Sequence, residues 1–218
     1  MSGVEAALQA LGAARLVAVL RADSRERACQ LVEAVIDGGI RAVEVTLTVP
    51  EAEDLIRWAG QRFGASVQVG AGSVLDAAAA RRVIAAGARF VVSPILDAGV
   101  LDACRGAGVL GVPGCFTPTE IVAATRAGAP LVKVFPAGRL GPSYVKDLLG
   151  PLPGLRLMPT GGVSVDNVGS WLGAGAFALG VGSALCPDRS LAEARFDRIR
   201  ETTAAFVSAA ARHLGSPS

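Results

Sequence analysis

The feature of this sequence that most restricts its fold is a repeat of about two dozen residues. Each repeat has a short apolar run, a polar turn, an alanine-rich amphipathic stretch and a glycine, the residue that commonly ends a helix in the left-handed conformation. Strands that read as apolar runs, without alternation, are covered on both faces, which is typical of parallel strands joined by crossover helices. The repeat predicts strands near residues 16–21, 42–47, 66–71, 90–94, 109–113, 131–136, 156–160 and 177–182.

Eight strand–helix units with no linker and no change of composition predict one (βα)8 TIM barrel domain over residues 1–218, with a short N-terminal helix near 4–14. A chain of 218 residues with 51% hydrophobic content can bury a core of that size. A doubly wound open sheet is the alternative, since a sequence fixes the number of strands only to within about one or two.

The composition excludes several classes of function. The formal net charge is +2 and the basic residues are scattered among acids, so neither nucleic acid nor an anionic membrane is an expected partner. Apolar runs are too short to span a bilayer and the N-terminus lacks a signal-peptide pattern, so we expect a cytoplasmic protein. No metal site and no cofactor are predicted, because the side chains suited to a metal are far apart and form no CxxC pair: Cys29, Cys104, Cys115, Cys186 and the single histidine, His213.

In a barrel the chemistry lies at the carboxyl ends of the strands, and two ionisable residues stand out because they fall inside a strand. Glu44 lies in the second predicted strand and Lys133 in the sixth, each between apolar neighbours. A buried pair of this kind can be a structural ion pair, and a lysine can also extend to solvent from an edge strand. Alternatively, burial leaves Lys133 uncharged and able to form a Schiff base, while the Glu44 carboxyl, its pKa raised by burial, moves protons. Arg21, after the first strand, is a candidate clamp for a carboxylate or phosphate oxygen, or is simply solvated.

Two glycine-rich turns follow the seventh and eighth predicted strands. Gly161 and Gly162 come after Thr160, and Gly182 precedes Ser183. Barrels commonly bind phosphate between these two strands on exposed backbone N–H groups. The simpler alternative is that the glycines only allow tight turns to form.

Eight motifs in a fixed order give the chain a resemblance to a known family. Together they resemble the class I aldolases of the 2-keto-3-deoxy-6-phosphogluconate (KDPG) type, which also cover 4-hydroxy-2-oxoglutarate aldolases, and the resemblance spans essentially the whole chain. The motifs are VLRA at 19–22, EVTLTVP at 44–50, VGAGSV at 69–74, VSP at 92–94, VPG at 112–114, VKVFPA at 132–137, PTGGV at 159–163 and GVGSA at 180–184.

The resemblance implies a homotrimeric (βα)8 barrel of the Entner–Doudoroff pathway that cleaves KDPG to pyruvate and glyceraldehyde 3-phosphate without a metal. It implies that Lys133 is the Schiff-base lysine and that Glu44 is the general acid/base, acting through a water. The positions it implies for the substrate carboxylate and hydroxyls are Arg21, Thr48, Ser73, Pro94 and Thr160. Those it implies for the phosphate are Gly161, Gly162, Gly182 and Ser183.

Two positions depart from the commonest pattern of that family. Thr48 stands where some members have a carboxylate-binding arginine, and Ser73 stands where threonine is usual. We expect these differences to affect the strength of carboxylate binding and the substrate range, with Arg21 as the candidate to replace the lost charge.

Several other functions stay open at this point. An aldolase for the galactonate epimer or for 4-hydroxy-2-oxoglutarate shares the Schiff base, although the glycine-rich turns favour a phosphorylated substrate. A phosphate-binding barrel isomerase would use Lys133 as an electrostatic group and would form no imine. A catalytically silent barrel that serves only for assembly is disfavoured, because both Glu44 and Lys133 are intact.

Overall fold

Strands and helices alternate along the computed structural model, which describes residues 2–186 and 195–214. The helices are α1 (Gly3–Ala14), α2 (Arg25–Asp37), α3 (Ala52–Phe63), α4 (Ala77–Ala85), α5 (Ala98–Gly106), α6 (Pro118–Arg126), α7 (Pro142–Leu149), α8 (Val168–Gly173) and α9 (Phe196–Leu214). The strands are β1 (Leu16–Leu20), β2 (Ala42–Thr46), β3 (Gln68–Gly72), β4 (Phe90–Val92), β5 (Leu110–Val112), β6 (Gly114–Cys115), β7 (Val132–Val134), β8 (Leu157–Pro159) and β9 (Leu179–Val181).

Five helices, α1, α2, α4, α5 and α6, begin after a short polar side chain that accepts a hydrogen bond from the first turn. Ser24 caps α2 by accepting a hydrogen bond from the Arg27 N–H at 3.3 Å. Gly39, just after this helix, has a φ of 106°, as predicted for the left-handed residue after a helix. The glycine stop predicted for each repeat is therefore confirmed for α2.

The strands are parallel and close into a ring. Six of them pair in the order β5-β4-β3-β2-β1-β9, and three pair in the order β6-β7-β8. A parallel bridge between Thr160 and Gly180 joins the end of β8 to β9. On the other side β5 continues into β6, and the Lys133 N–H of β7 donates to the Pro113 carbonyl between them at 2.9 Å. The (βα)8 barrel with its N-terminal helix is therefore confirmed, and the open-sheet alternative is wrong.

One predicted strand differs in detail. The run predicted over 109–113 forms β5, which ends at Val112 because Pro113 has no N–H to contribute to the strand ladder, and β6 begins beyond the predicted run, at Gly114. Gly114 continues the chain as β6 in close contact with the preceding barrel strand, where an added Cβ would lie 2.4 Å from the Pro94 carbonyl carbon.

The barrel interior has an apolar half next to α1. Ala7 and Leu11 of α1 pack against this half and are buried. Its other buried residues lie on the strands or, for Leu131 and Ala178, directly before them: Val17, Ala42, Phe90, Val92, Leu110, Val112, Leu131, Met158 and Ala178. The alternate positions of the strands face the helices, as Leu16, Ala18 and Leu20 do in β1, so the strands are buried on both faces as predicted.

The described residues contain no helix long and apolar enough to cross a membrane. In the same parts of the chain, no three His, Cys, Asp or Glu side chains are grouped closely enough to hold a metal ion.

Candidate active site

Glu44 and Lys133 meet inside the barrel at the upper edge of its apolar half. Lys133 Nζ lies 3.6 Å from Glu44 Oε1, and the two side chains are only 6% and 1% exposed. β2 and β7 lie on opposite sides of the ring, so the two residues reach each other across its centre. The structure thus brings together the two residues that the sequence places inside strands.

Strand geometry explains why both side chains point inward. Successive side chains of a strand alternate between its two faces. Ala42 on β2 and Leu131 directly before β7 belong to the interior apolar cluster, and Glu44 and Lys133 each come two residues later in the chain. The interior therefore changes from apolar to ionisable over one step of the pleat.

The fold favours a protonated Glu44. Burial raises the pKa of this carboxyl above its ordinary value, and the Lys133 amine and the Arg21 guanidinium only partly offset the effect. An ion pair alone would favour the carboxylate, but the loss of solvation outweighs it. Glu44 Oε2 is also buried and has no hydrogen-bond partner in the described part of the chain. A carboxyl whose pKa is raised takes up a proton more readily than a solvated glutamate does, which suits a group that exchanges protons.

An aromatic ring covers one side of the lysine. The centroid of the Phe135 ring lies 5.2 Å from Lys133 Nζ. Phe135 was not among the predicted site residues, although its spacing of two from the lysine on the same strand is a usable signal. The ring shields the amine from water and makes a cation–π contact when the amine is charged.

Threonine hydroxyls tie the end of β2 to β1. Thr46 Oγ1 donates to the Leu20 carbonyl at 2.8 Å and lies 2.7 Å from Thr48 Oγ1. With its own proton engaged, the Thr46 hydroxyl accepts the hydrogen bond from Thr48, which is exposed at the rim. Arg21, also exposed, follows β1 beside this pair and acts on the Glu44 charge. Thr46 was not among the predicted site residues, but it holds Thr48 in place.

The remaining residues predicted to bind the carboxylate and hydroxyls also follow strands. Ser73, half-buried after β3, has a φ of 60°, a conformation uncommon for a residue with a side chain. Pro94 is half-buried after β4, and Thr160 is buried at the end of β8. The Thr160 hydroxyl packs closely against Gly180 of β9, since a Cβ added at Gly180 would lie 2.2 Å from Thr160 Oγ1.

The turn after β8 is built from glycines and held by an asparagine. Gly161 and Gly162 have φ values of 91° and 75°. Gly162 packs so closely on the turn after β7 that an added Cβ would lie 2.5 Å from the Gly138 Cα. Asn167 holds the turn from the other side, accepting from the Ser164 N–H and donating to the Gly162 carbonyl, both at 2.8 Å.

Asn167 was missed by the sequence analysis. The signal that could have found it is an asparagine three residues after Ser164, immediately before α8, the spacing at which such side chains bond to the backbone of a turn.

Gly182, half-buried, and Ser183, exposed, follow β9, the strand next to β8. All the predicted residues therefore lie at the carboxyl end of the barrel.

Comparison with known proteins gives one consistent family. The family model described as KDPG and KHG aldolase matches residues 7–202. The chain is 35% identical over 195 residues to the 2-dehydro-3-deoxy-6-phosphogalactonate aldolase of Escherichia coli K12, covering 89% of this chain and 93% of that protein. It is 36% identical over 192 residues to the 2-dehydro-3-deoxy-phosphogluconate aldolase of Treponema pallidum, covering 88% and 91%.

Two solved structures agree with these relatives. The native KDPGal structure superposes with a TM-score of 0.85 at 33% identity, covering 92% of this chain and 96% of that one. The KDPG aldolase of Legionella pneumophila, with pyruvate captured as a covalent carbinolamine intermediate, superposes with a TM-score of 0.83 at 28% identity, covering 92% and 97%. Sequence, fold and the buried lysine–glutamate pair lead to the same assignment, and the chain belongs to the KDPG and KHG aldolase family.

Proposed function

We propose that this chain is a class I aldolase that reversibly cleaves KDPG to pyruvate and glyceraldehyde 3-phosphate. The observation that carries the proposal is the contact between Lys133 and Glu44, an amine and a proton-exchanging carboxyl 3.6 Å apart in a buried site. The Legionella relative, captured with pyruvate as a covalent carbinolamine, supports the same chemistry for this chain.

The reaction begins when the uncharged Lys133 amine attacks the C2 carbonyl of the keto acid. The carbinolamine loses its hydroxyl as water after Glu44 delivers a proton, leaving a protonated imine. Glu44, now a carboxylate, accepts the proton of the C4 hydroxyl, directly or through a water, while the imine withdraws the electrons of the C3–C4 bond. The aldehyde leaves and the enamine of pyruvate remains on Lys133. Protonation at C3 and hydrolysis of the imine release pyruvate and regenerate the amine.

The other predicted residues have binding roles in this proposal. The pyruvate carboxylate and the substrate hydroxyls contact a set at the ends of the first, second, third, fourth and seventh barrel strands: Arg21, Thr48, Ser73, Pro94 and Thr160. The phosphate binds the backbone N–H groups of the turns that contain Gly161, Gly162, Gly182 and Ser183. Positive φ values in the first of these turns support this role, since such turns present N–H groups to an anion.

Steady-state kinetics with the substrates of the family would show which of them this chain prefers. The matched relatives include aldolases for both the gluconate and the galactonate epimers. Steady-state rates with KDPG, its galactonate epimer, each of these two without phosphate, and 4-hydroxy-2-oxoglutarate would rank the five substrates. We expect KDPG to have the highest kcat/KM and removal of the phosphate to raise KM. A preference for 4-hydroxy-2-oxoglutarate would instead favour that branch of the family.

We also propose that the protein acts as a homotrimer in the cytoplasm, within the Entner–Doudoroff pathway. Large apolar side chains are exposed after three consecutive strands of the ring, at Leu75 (54%), Ile95 (49%) and Phe116 (40%). Exposed apolar groups that lie together support a protein contact. Cys29, Cys104 and Cys115 are free thiols, which fits a reducing compartment.

The chain offers a sharp test, because it contains only two lysines, Lys133 and Lys146. We expect that treatment with pyruvate and sodium borohydride adds one reduced pyruvate per chain and that peptide mapping places it on Lys133. Lys133→Ala should lose both the adduct and turnover. The exposed Lys146, changed to Ala, is the matched control and should keep both. An unmodified wild-type chain at saturating pyruvate would refute the Schiff base and favour the isomerase.

A further inference from the structure

We propose that Gly72 is a positioning residue for the reaction, because the absence of a side chain there provides the space that the Glu44 carboxyl occupies beside Lys133. Gly72 is the last residue of β3 and is buried. A Cβ added to it would lie 2.0 Å from Glu44 Oε1 and 2.6 Å from both Cγ and Cδ of the same side chain. Even alanine at this position would overlap the carboxyl. The role in catalysis rests on the function proposed above.

The glycine is required for space and not for its backbone conformation. No residue of β3 has a positive φ, so the backbone of Gly72 is one that alanine adopts without strain. The strand is also held in register, with Gly72 opposite Thr46 and the Gly72 carbonyl accepting from the Leu47 N–H at 2.9 Å. An added methyl group would therefore press on the Glu44 side chain before the backbone could yield.

The oxygen that the methyl group would displace is the one that faces the lysine. Glu44 Oε1, 2.0 Å from the added Cβ, is also the oxygen 3.6 Å from Lys133 Nζ. Carbon and oxygen in ordinary contact stand more than about 3 Å apart, so the carboxyl would have to move by about 1 Å or more. Because Glu44 is only 1% exposed, it has no solvent space to move into, and its distance from the amine must change.

A second glycine of the same strand shows what a purely packing role looks like. Gly70 also faces the interior, and a Cβ added there would lie 2.5 Å from the Phe90 ring. Phe90 belongs to the apolar half of the barrel, so Gly70 leaves space for a hydrophobic ring. Gly70 therefore has a packing role, whereas Gly72 leaves space for the carboxyl that we propose takes part in the reaction.

The first part of the test is kinetic. Gly72→Ala should lower kcat and the rate of pyruvate imine formation by about 10²-fold, as expected for a catalytic group displaced by about 1 Å. The end point should remain one trapped pyruvate per chain on Lys133, since the amine itself is intact. Gly60→Ala in α3, where an added Cβ meets nothing within 4 Å, is the matched control and should leave both rates unchanged. A Gly72→Ala enzyme with near wild-type rates would overturn the proposal.

The second part is a double-mutant cycle on thermal stability, which does not depend on activity. Gly72→Ala should lower the melting temperature of the wild type, but it should cost little in a Glu44→Ala background, where the carboxyl is gone and the methyl group has space. Gly70→Ala should cost the same in both backgrounds, because Phe90 remains. Equal costs of Gly72→Ala in both backgrounds would overturn the proposal. If Gly72→Ala alone does not fold, recovery of folding in the double variant supports the proposal and failure of the double variant to fold refutes it.

The two proposals fail in different ways. No borohydride-trapped pyruvate on wild-type Lys133 would remove the aldolase function while leaving the coupling of positions 72 and 44 measurable. A trapped adduct together with a Gly72→Ala enzyme that is fully active would keep the aldolase function and reject the positioning role.

Discussion

The protonation of Glu44 depends on its surroundings. Burial raises its pKa above the ordinary value of 4.5, so the fold favours the neutral acid more than water does. The unfolded chain holds this proton less tightly than the folded one does. The stability that the group contributes is therefore fully present below its unfolded pKa and is lost as the pH rises through its folded pKa.

This sign gives a prediction for stability. As the pH rises from about 4 through the folded pKa of Glu44, the unfolding free energy of the wild type should fall relative to that of Glu44→Gln, which cannot ionise. Urea denaturation of both proteins across this range measures the difference. The same curves for the two proteins would contradict a raised pKa at this position.

Glu120 provides a control of opposite sign. Hydrogen bonds from the backbone of Thr117 and Phe116 lower the pKa of the Glu120 carboxyl, so its contribution is present above the ordinary value and is lost as the pH falls. The difference between the wild type and Glu120→Gln should therefore grow as the pH rises from about 3, while the Glu44 difference shrinks.

The role of general acid/base that we propose for Glu44 also gives a kinetic prediction. Glu44→Gln keeps the size of the side chain but cannot exchange a proton, so we expect kcat to fall by roughly 10² to 10⁴-fold. Steady-state assays measure this loss, and borohydride trapping checks that Lys133 still forms an adduct, though more slowly. An enzyme with the wild-type kcat would show that Glu44 is not the general acid/base.

At the scale of elements, the turn between β8 and α8 depends on one side chain that spans it. Asn167 bonds to both the Gly162 carbonyl and the Ser164 N–H. Glycines lose more conformational freedom than other residues when they are ordered, so the two bonds help to keep the turn in one conformation. If this turn binds the substrate phosphate, its order should appear in KM.

We therefore expect Asn167→Ala to raise KM for the phosphorylated substrate by roughly tenfold, equivalent to about 1.4 kcal/mol of binding free energy. The KM of the same substrate without phosphate should hardly change. Asn167→Asp, which keeps the acceptor for Ser164 but loses the donor to Gly162, should be intermediate. An equal rise in KM for both substrates would place the effect outside the phosphate site.

At the scale of the whole molecule, the exposed apolar side chains Leu75, Ile95 and Phe116 bear on assembly. All three follow strands that are neighbours in the ring, at the same end of the barrel as the active site. A trimer that buries them would place its contacts beside the rim of the site. Charged substitutions there should weaken association without affecting the core, because the side chains are exposed in the single chain.

The prediction for assembly is that Ile95→Asp, alone or with Leu75→Asp, converts trimers to monomers at micromolar concentration. Light scattering coupled to size-exclusion chromatography measures the mass. Gln61→Asp, which adds the same charge at an exposed position of α3, should leave the trimer intact. A trimer that survives both substitutions would exclude this surface from the contact, and a monomeric wild type would refute the trimer.

Much of this protein can be predicted from local sequence, because local chemistry decides it. The apolar runs and glycine stops predict the strands and helices, and the charges of Glu44 and Lys133 within such runs mark them as inward-facing. The family motifs add the remaining site residues. The apolar run around Pro113 was predicted as one strand over 109–113, but β5 ends at Val112 because proline has no N–H for the strand ladder.

Only the tertiary structure decides what depends on closure of the ring. Residues 44 and 133 are distant in sequence, and their 3.6 Å contact exists because β2 and β7 face each other once Thr160 pairs with Gly180. The same closure gives different neighbours to two glycines that look alike in the sequence, since Gly70 lies against the Phe90 ring and Gly72 lies against the Glu44 carboxyl. Sequence determines which face of a strand a residue occupies through the period of the pleat, whereas what lies opposite that face is set by chain segments far away in sequence.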